Sequence, residues 1–126
     1  MDNSEPDEFM KNYWEAASSN DFAHVSPFID RDASFFFSEG PFIGLEQIRK
    51  AFEQTWATIT AERYTTGKLR WIVSDENTAV CTYDFTSDGY IGGVHRIMRG
   101  LGTNVLEKAN GNWKIIHEHL SVIYRE

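Results

Sequence analysis

The sequence predicts an α+β domain in which three helices pack on one side of a curved antiparallel sheet. Apolar residues recur at helical spacing in residues 9–17 and 45–59, whereas the period changes to two after residue 60. Four consecutive strand segments joined by short turns follow, and strands joined in this way pair antiparallel. Because long strands twist and curl, such a sheet covered by helices encloses a hollow between its two layers.

All three predicted helices lie in the first half of the chain. Ser4 is predicted to cap the first, whose apolar stripe runs from Phe9 to Ala17. The polar segment 18–21 ends that helix and caps a shorter one, in which Phe22 and Val25 face inward. The third helix is predicted from Leu45 to about Ile59, with its apolar residues on one side.

Five strands are predicted from aromatic content and from period-two alternation. They span Ala33–Ser38, Tyr64–Val73, Thr78–Thr86, Val94–Lys108 and Trp113–Tyr124. Residues 39–44 and 87–93 are predicted to be loops from their Gly and Pro content, and Asn110-Gly111 predicts a hairpin turn. The Gly100 and Gly102 pair predicts a bend or bulge within the longest strand.

Composition and charge limit the classes of function. The chain has 126 residues, and we expect one domain spanning residues 1–126. Hydrophobic residues make up 41% of the chain and aromatic residues 14%, which excludes a disordered chain. The formal charge of −7 argues against a nucleic-acid partner or an anionic membrane held through a basic face.

The N-terminus and the cysteine count predict a cytoplasmic protein. Residues 1–5 are acidic and lack the basic start and apolar core of a signal peptide. No stretch approaches the ~20 apolar residues of a spanning helix, so we expect no membrane partner. Cys81 is the only cysteine, which makes an intrachain disulfide impossible.

The last strand supplies the main candidate for a functional site. Strict alternation places His117 and His119 on one face, together with Trp113, Ile115 and Ser121. If this face lines the hollow, it offers the mostly apolar surface with a few polar groups that small-molecule pockets need.

Four interpretations of the two histidines stay open. They can be hydrogen-bonded pocket residues without catalysis, or acid–base groups, since His exchanges a proton near neutral pH. They can also be two ligands of a metal whose third ligand is His95 or Glu39. We nevertheless expect no metal and no cofactor, because a zinc site needs three or four ligands. A change of strand parity would leave both rings exposed.

Seven further residues are predicted to contact a ligand. They are Arg99, Tyr83, Trp113, Trp56, Trp14, Phe35 and Phe37. Arg99 pointing into the hollow would require an anionic partner, either a buried carboxylate or the carboxylate or phosphate of a ligand. The alternative is an Arg99 that is exposed or paired structurally. Tyr83 either orients a ligand through its hydroxyl or fills the core, and the other aromatic residues either wall the cavity or belong to the core.

The opposite face of the last strand predicts self-association. Alternation places Glu118 there with Ile116, Leu120 and Val122. This surface is too apolar to stay in water, so we expect a two-fold homodimer through the outer sheet faces.

The order of elements resembles the nuclear-transport-factor-like, or cystatin-like, cone fold. The segment Phe42–Ile48 resembles the start of the third helix in SnoaL-like proteins of this superfamily, and the segments Arg99–Val105 and Gly111–Ser121 resemble their last hairpin. The resemblance implies a cone-shaped sheet with the helices on its concave face. In ketosteroid isomerase, another member, a carboxylate base lies at the end of the first strand; the nearest carboxylate here is Glu39, in the following loop.

Three functions follow from the predicted pocket and from the resemblance. The first is a pocket protein for a small hydrophobic or anionic molecule. The second is an isomerase, cyclase or dehydratase that uses His117 or His119 as the acid–base group. The third is a dimeric association module without a ligand.

Overall fold

The computed structural model describes residues 3–126 as three α-helices and six strands. The helices are α1 (Ser4–Ala17), α2 (Phe22–Val25) and α3 (Leu45–Thr58), and a 3₁₀ turn (Ser26–Phe28) follows α2. The strands are β1 (Ile29–Phe37), β2 (Gly40–Ile43), β3 (Thr60–Ser74), β4 (Thr78–Ile91), β5 (Val94–Ala109) and β6 (Asn112–Arg125). Met1 and Asp2, which belong to the segment that argued against a signal peptide, lie outside the described residues. Over residues 3–126, no helix combines the length and the apolar character needed to cross a membrane.

Of the three helices described, α2 alone begins at a side-chain cap. The N-cap position of α1 is Asn3, one residue before the predicted Ser4. The Asn3 side chain makes no capping hydrogen bond; its Oδ1 atom accepts a hydrogen bond from the Ser74 hydroxyl (2.6 Å). Asp21 caps α2 through a hydrogen bond from the Ala23 N–H (2.9 Å). Both helices therefore begin within one residue of the predicted position.

The sheet is curved and open, with strand order β2-β1-β6-β5-β4-β3. This confirms the predicted α+β cone fold. Four of the five strand pairs are antiparallel, and the β1–β6 pair is parallel. The prediction of four consecutive antiparallel strands (β3–β6) did not include this parallel pairing of β1 with β6.

Two predicted loops are shorter than expected. The loop predicted at residues 39–44 contains β2, which pairs with β1 from Ser34↔Ile43 to Phe37↔Gly40. The loop predicted at residues 87–93 reduces to Gly92-Gly93, because β4 continues to Ile91 and stays paired with β5. The backbone hydrogen bonds of these segments are thereby satisfied within the sheet.

The core lies between the helices and the inner face of the sheet. Its buried residues include Met10, Val25 and Ile48 from the helical layer, packed against residues of the sheet. From the sheet come Ala33, Phe35, Cys81, Leu106 and Ile115. Burial raises the pKa of the Cys81 thiol to about 12, so this thiol is an inert part of the core.

Irregular pairing between β5 and β6 determines which residues of β6 face inward. Leu106 pairs with Ile115, but Val105 pairs with His117, so Ile116 is an extra residue on β6. This β-bulge reverses the alternation after Ile115. A second irregularity follows at the end of β6, where Gly100 pairs with Val122 but Arg99 pairs with Tyr124. Between this irregularity and the bulge at Ile116, residues 117–122 of β6 pair regularly with β5.

Candidate functional site

A cavity of about 710 Å³ lies between α1, α3 and the inner face of the sheet. Its size is within the range of roughly 300–1,000 Å³ that is typical of small-molecule pockets. Aromatic side chains make up much of its wall: Tyr13, Trp14, Phe37, Phe42, Phe52, Trp56, Tyr64 and Phe85. The cavity is therefore mainly apolar, and its few polar groups decide what it can bind.

Glu118 on β6 is the most buried charged side chain that lines the cavity. It is 3% exposed, and its Oε1 atom accepts hydrogen bonds from the Tyr13 hydroxyl (2.7 Å) and from the Asn104 amide (3.0 Å). Burial raises the pKa of this carboxyl to about 7, although the hydrogen bonds from Asn104 and Tyr13 act in the opposite direction. Glu118 can thus both give and take a proton near neutral pH.

The hydrogen-bond network around Glu118 fixes where its proton resides. The Tyr83 hydroxyl donates to Asn104 Oδ1 (2.6 Å), which orients the Asn104 amide nitrogen towards Glu118. Burial, followed by the charge of Glu118, raises the pKa of Tyr13 well above its ordinary value, so this phenol stays a donor. With two donors on Oε1, a proton on Glu118 is carried by Oε2. Within residues 3–126, Oε2 accepts no hydrogen bond.

A second carboxylate and a phenol line the same cavity. Glu62 is half-buried and accepts a hydrogen bond from the hydroxyl of the buried Ser87 (2.5 Å). Tyr64 stacks on Phe85, with ring centroids 5.6 Å apart. Burial raises the pKa of Tyr64, and the charges of Glu118 and then of Glu62 raise it further. Tyr64 is therefore within electrostatic reach of both carboxylates.

The charged groups at the rim of the cavity are exposed. Lys50 on α3, Arg125 at the end of β6 and Glu39 between β1 and β2 all line it. Water screens their charges, whereas the charge of Glu118 acts inside an apolar wall.

Three of the predicted ligand contacts line the cavity. They are Trp14, Trp56 and Phe37. The Trp14 Nε1–H is buried beside Tyr83, whereas Trp56 Nε1 donates to the Ala17 carbonyl (3.2 Å). Whether these aromatic residues contact a ligand stays a prediction.

Three other predicted contacts do not line the cavity. Phe35 and Tyr83 belong to the buried core, where Tyr83 packs edge-on against Trp14 at 5.0 Å between ring centroids. Trp113 is half-buried beside the core, and its indole N–H donates to Glu5 Oε1 (3.0 Å). Of the two alternatives for Tyr83, the core residue is the one that the geometry matches.

The prediction that His117 and His119 face the hollow is wrong. The bulge at Ile116 places both rings on the outer face of the sheet, where His119 is exposed. His117 Nδ1 lies 2.8 Å from the Ser34 hydroxyl, and the Phe36 ring packs edge-on against both imidazoles. Burial lowers the pKa of His117, and so does the neighbouring His119, whereas a hydrogen bond from the imidazole to the Ser34 backbone opposes this shift. The acid–base role of His117 and His119 was inferred from their expected position inside the hollow. Because both rings lie on the outer face, that position no longer supports this role.

The predicted third metal ligands are not near the histidines. His95 forms a 2.6 Å contact with Asp88 at the far end of β4 and β5, and Glu39 is at the cavity rim. Among residues 3–126, no three His, Cys, Asp or Glu side chains are grouped so that they could hold a metal ion.

Arg99 also lies outside the cavity. It is exposed on the outer face of β5, where its guanidinium is 5.2 Å from the centre of the Tyr124 ring. The cavity-lining arginine is Arg125, which pairs with Met98 after the second irregularity in β6. The bulge that was expected near Gly100 affects β6 rather than β5.

The residues predicted to form the outer face of β6 are also misplaced. Glu118, Leu120 and Val122 line the cavity, because the bulge reverses their direction. The sequence does carry one signal for this site: a single carboxylate, Glu118, precedes apolar residues at positions 120 and 122. A carboxylate in an apolar stripe marks either a solvent-facing edge or a buried functional group, and only the register distinguishes them.

Comparison with known proteins is informative about the family and the fold. Residues 7–125 match the family model of the SnoaL-like domain. No curated protein matches the sequence significantly.

Solved structures at low sequence identity share the fold. A type 2 hexachlorocyclohexane dehydrochlorinase is 14% identical, with a TM-score of 0.87 over 98% of this chain and 89% of that one. A nuclear transport factor 2-like superfamily protein from Salmonella enterica is 21% identical, with a TM-score of 0.86 over 95% and 89%. The association domain of the Caenorhabditis elegans kinase CaMKII is 18% identical, with a TM-score of 0.77 over 94% of each chain. Enzymes and association domains thus occur on one architecture.

Proposed function

Because this chain belongs to the SnoaL-like domain family of the nuclear-transport-factor-2-like superfamily, we propose that it binds a small, largely apolar molecule in the cavity above Glu118. One observation carries the proposal. The Glu118 carboxyl lies in an aromatic-lined cavity of about 710 Å³ with one oxygen free of hydrogen bonds from the described residues. The ionised form of a carboxyl group in an apolar wall is costly unless a partner stabilises it.

The aromatic walls supply affinity and the polar groups supply orientation. Burying apolar ligand surface contributes about 25 cal/mol per Å², so 200 Å² corresponds to about 5 kcal/mol before the cost of immobilising the ligand. Glu118 Oε2 and the Tyr64 hydroxyl then fix the direction of the ligand's polar end.

An acid–base enzyme is the second candidate, and it is favoured by the proton affinity of Glu118. A carboxyl group with a pKa of about 7 is present in both protonation states near neutral pH. Because the proton resides on Oε2, next to the cavity, the group is placed to exchange it with a bound substrate. In this candidate Glu118 replaces the two histidines as the acid–base group.

A cavity-filling variant tests the proposed site. Ala17 lines the cavity at the end of α1, so Ala17→Phe places a ring in the space that a ligand would need. Ala57 on α3 is exposed, and Ala57→Phe is the matched control. We expect compounds that raise the melting temperature of the wild-type protein to bind Ala17→Phe at least about tenfold more weakly and Ala57→Phe unchanged. Equal binding to Ala17→Phe would place the ligand elsewhere.

Self-association through the outer sheet face is proposed as a separate property. Phe36, Leu101 and Tyr124 are exposed large hydrophobic residues on strands at the outer face. Association domains occur among the structural neighbours, which supports a surface of this kind. We propose a two-fold homodimer that covers this face.

Matched substitutions test the dimer. Leu101 is 53% and Val94 50% exposed, but Val94 pairs with the cavity-lining Ile91 and therefore lies on the inner face of the sheet. Leu101→Asp is expected to yield monomers in sedimentation equilibrium at micromolar concentration, whereas Val94→Asp leaves the dimer intact. A wild-type protein that sediments as a monomer would rule out the proposed interface.

A further inference from the structure

We infer that association through the outer sheet face is sensitive to pH: two copies bind each other while His117 and His119 are neutral, and they separate when these imidazoles become charged. This sensitivity rests on the proposed homodimer and specifies its regulation, without involving the cavity. Both histidines lie on the outer face of β6, where neither can serve a cavity ligand.

The two imidazoles belong to the surface that the dimer would cover. Phe36 of β1 is an exposed large hydrophobic residue of that surface, and its ring centroid lies 4.8 Å from that of His117 and 5.8 Å from that of His119. The two imidazole centroids are 6.4 Å apart. A partner that covers Phe36 therefore covers both histidines. Because each copy contributes the same face to a two-fold interface, four imidazoles would be buried together.

Among the described residues, His117 and His119 are the only ones at the centre of the outer face that can become charged near neutral pH. This centre consists of two rows of outward residues that cross β1, β6, β5 and β4 in register. The first row contains Ser34, His117, Val105 and Val80, and the second contains Phe36, His119, Thr103 and Thr82. While both imidazoles are neutral the centre is uncharged, as is typical of the core of a protein interface.

The charged residues of the outer face lie around this centre. They are Asp32 on β1, Arg70 on β3, Asp84 on β4, Arg99 and Glu107 on β5, and Lys114 on β6. Asp84 forms a 3.9 Å ion pair with Lys68, and Lys114 Nζ donates to the Pro27 carbonyl (2.7 Å). Unlike the other two histidines of the chain, the two on β6 form no ion pair with a carboxylate among residues 3–126. No acidic partner therefore stabilises their charged forms.

Protonation of these histidines opposes dimerisation. Histidine titrates near pH 6.5, and burial in an apolar contact disfavours its charged form. Burial and the neighbouring His119 already lower the pKa of His117 within one protomer, and a covering partner removes further water from both rings. The dimer therefore binds fewer protons than two separate protomers. Its affinity is highest above about pH 6.5 and decreases as the pH falls.

The overall charge of the chain has the opposite effect on association. The formal charge is −7 at pH 7 and the isoelectric point is about 5.0, so acidification reduces the repulsion between protomers. Overall charge alone would therefore strengthen the dimer at lower pH. Dissociation at lower pH would have to come from groups that the interface buries.

Sedimentation velocity over a dilution series at pH 8 and pH 5.5 tests the inference. The dissociation constant of the wild-type dimer should be at least about tenfold higher at pH 5.5, since a one-unit pKa change in a single group corresponds to up to about tenfold and four imidazoles contribute. The double variant His117→Gln, His119→Gln should show no such increase. His119→Gln alone, which replaces only the exposed ring, should show a smaller increase than the wild type. His24→Gln, on α2, is the matched control and should follow the wild type.

The outcomes separate the pH dependence from the dimer itself. A wild-type dimer that is equally tight at both pH values would overturn the inference and leave the proposed interface intact. An increase that persists in the double variant would also overturn it, because another group, such as Glu118, would then be responsible. A wild-type protein that is monomeric at both pH values would rule out the inference and the proposed homodimer together.

Discussion

Replacing Glu118 with Gln should change how the stability of the protein depends on pH. A pKa of about 7 in the folded protein, against an ordinary value of 4.5, means that folding favours the protonated carboxyl. The free energy of unfolding is therefore highest below about pH 4.5, as far as Glu118 is concerned, and decreases as the pH rises through 7. At about 1.4 kcal/mol per pH unit the full decrease is about 3 kcal/mol, and most of it falls between pH 5 and pH 8.

Urea denaturation at pH 5, 6, 7 and 8 measures this effect. The amide of Glu118→Gln still accepts from Tyr13 and Asn104 but cannot ionise, so the stability of this variant relative to the wild type should increase by about 2–3 kcal/mol across this range. Glu76→Gln makes the same chemical change on an exposed turn and should follow the wild type. If the Glu118→Gln and wild-type curves stay parallel from pH 5 to pH 8, the carboxyl is not buried as described.

Three other substitutions test separate parts of the structure. His119→Ala should leave the affinity of any cavity ligand within about twofold, because the ring is on the outer face; a large loss in calorimetry would contradict that placement. Gly102→Ala should lower the free energy of unfolding in urea by about 1–3 kcal/mol, since its Cβ would lie 2.4 Å from the Tyr83 ring; unchanged stability would mean that this ring moves freely. Asn104→Ala should destabilise the fold by about 1–3 kcal/mol and raise the pKa of Glu118 further, because it removes one of the two hydrogen bonds that lower this pKa; a lower pKa by NMR would argue against the network.

The fold was predictable because its signals are local. The apolar stripe of α1, the Asp21 cap of α2 and the Asn110-Gly111 turn each report on a few neighbouring residues. Gly102 was interpreted as a bend, yet its strand pairs with β4 without interruption. The glycine is needed because the Tyr83 ring crosses directly over it, a contact between strands that one sequence does not reveal.

The candidate site could not be predicted because its orientation depends on one unpaired residue. Ile116 has no Gly or Pro beside it to indicate a bulge, and strict alternation is the expected pattern for a strand. The bulge exchanges the two faces of β6, so that Glu118 lines the cavity and His119 meets solvent. The buried aromatic residues were less affected, because Trp14 and Trp56 lie on helices whose inner faces were correctly predicted.

The burial of Glu118 is tested most directly by a carbon-13 NMR titration of its side-chain carboxyl. The resonance is assigned by its loss in Glu118→Gln and followed from pH 4 to pH 9. A carboxyl in the cavity, with Tyr13 and Asn104 on one oxygen, should titrate with a pKa of about 7. A midpoint near the ordinary 4.5 would mean that water reaches this group freely, and the proposed binding site would then have no buried charge.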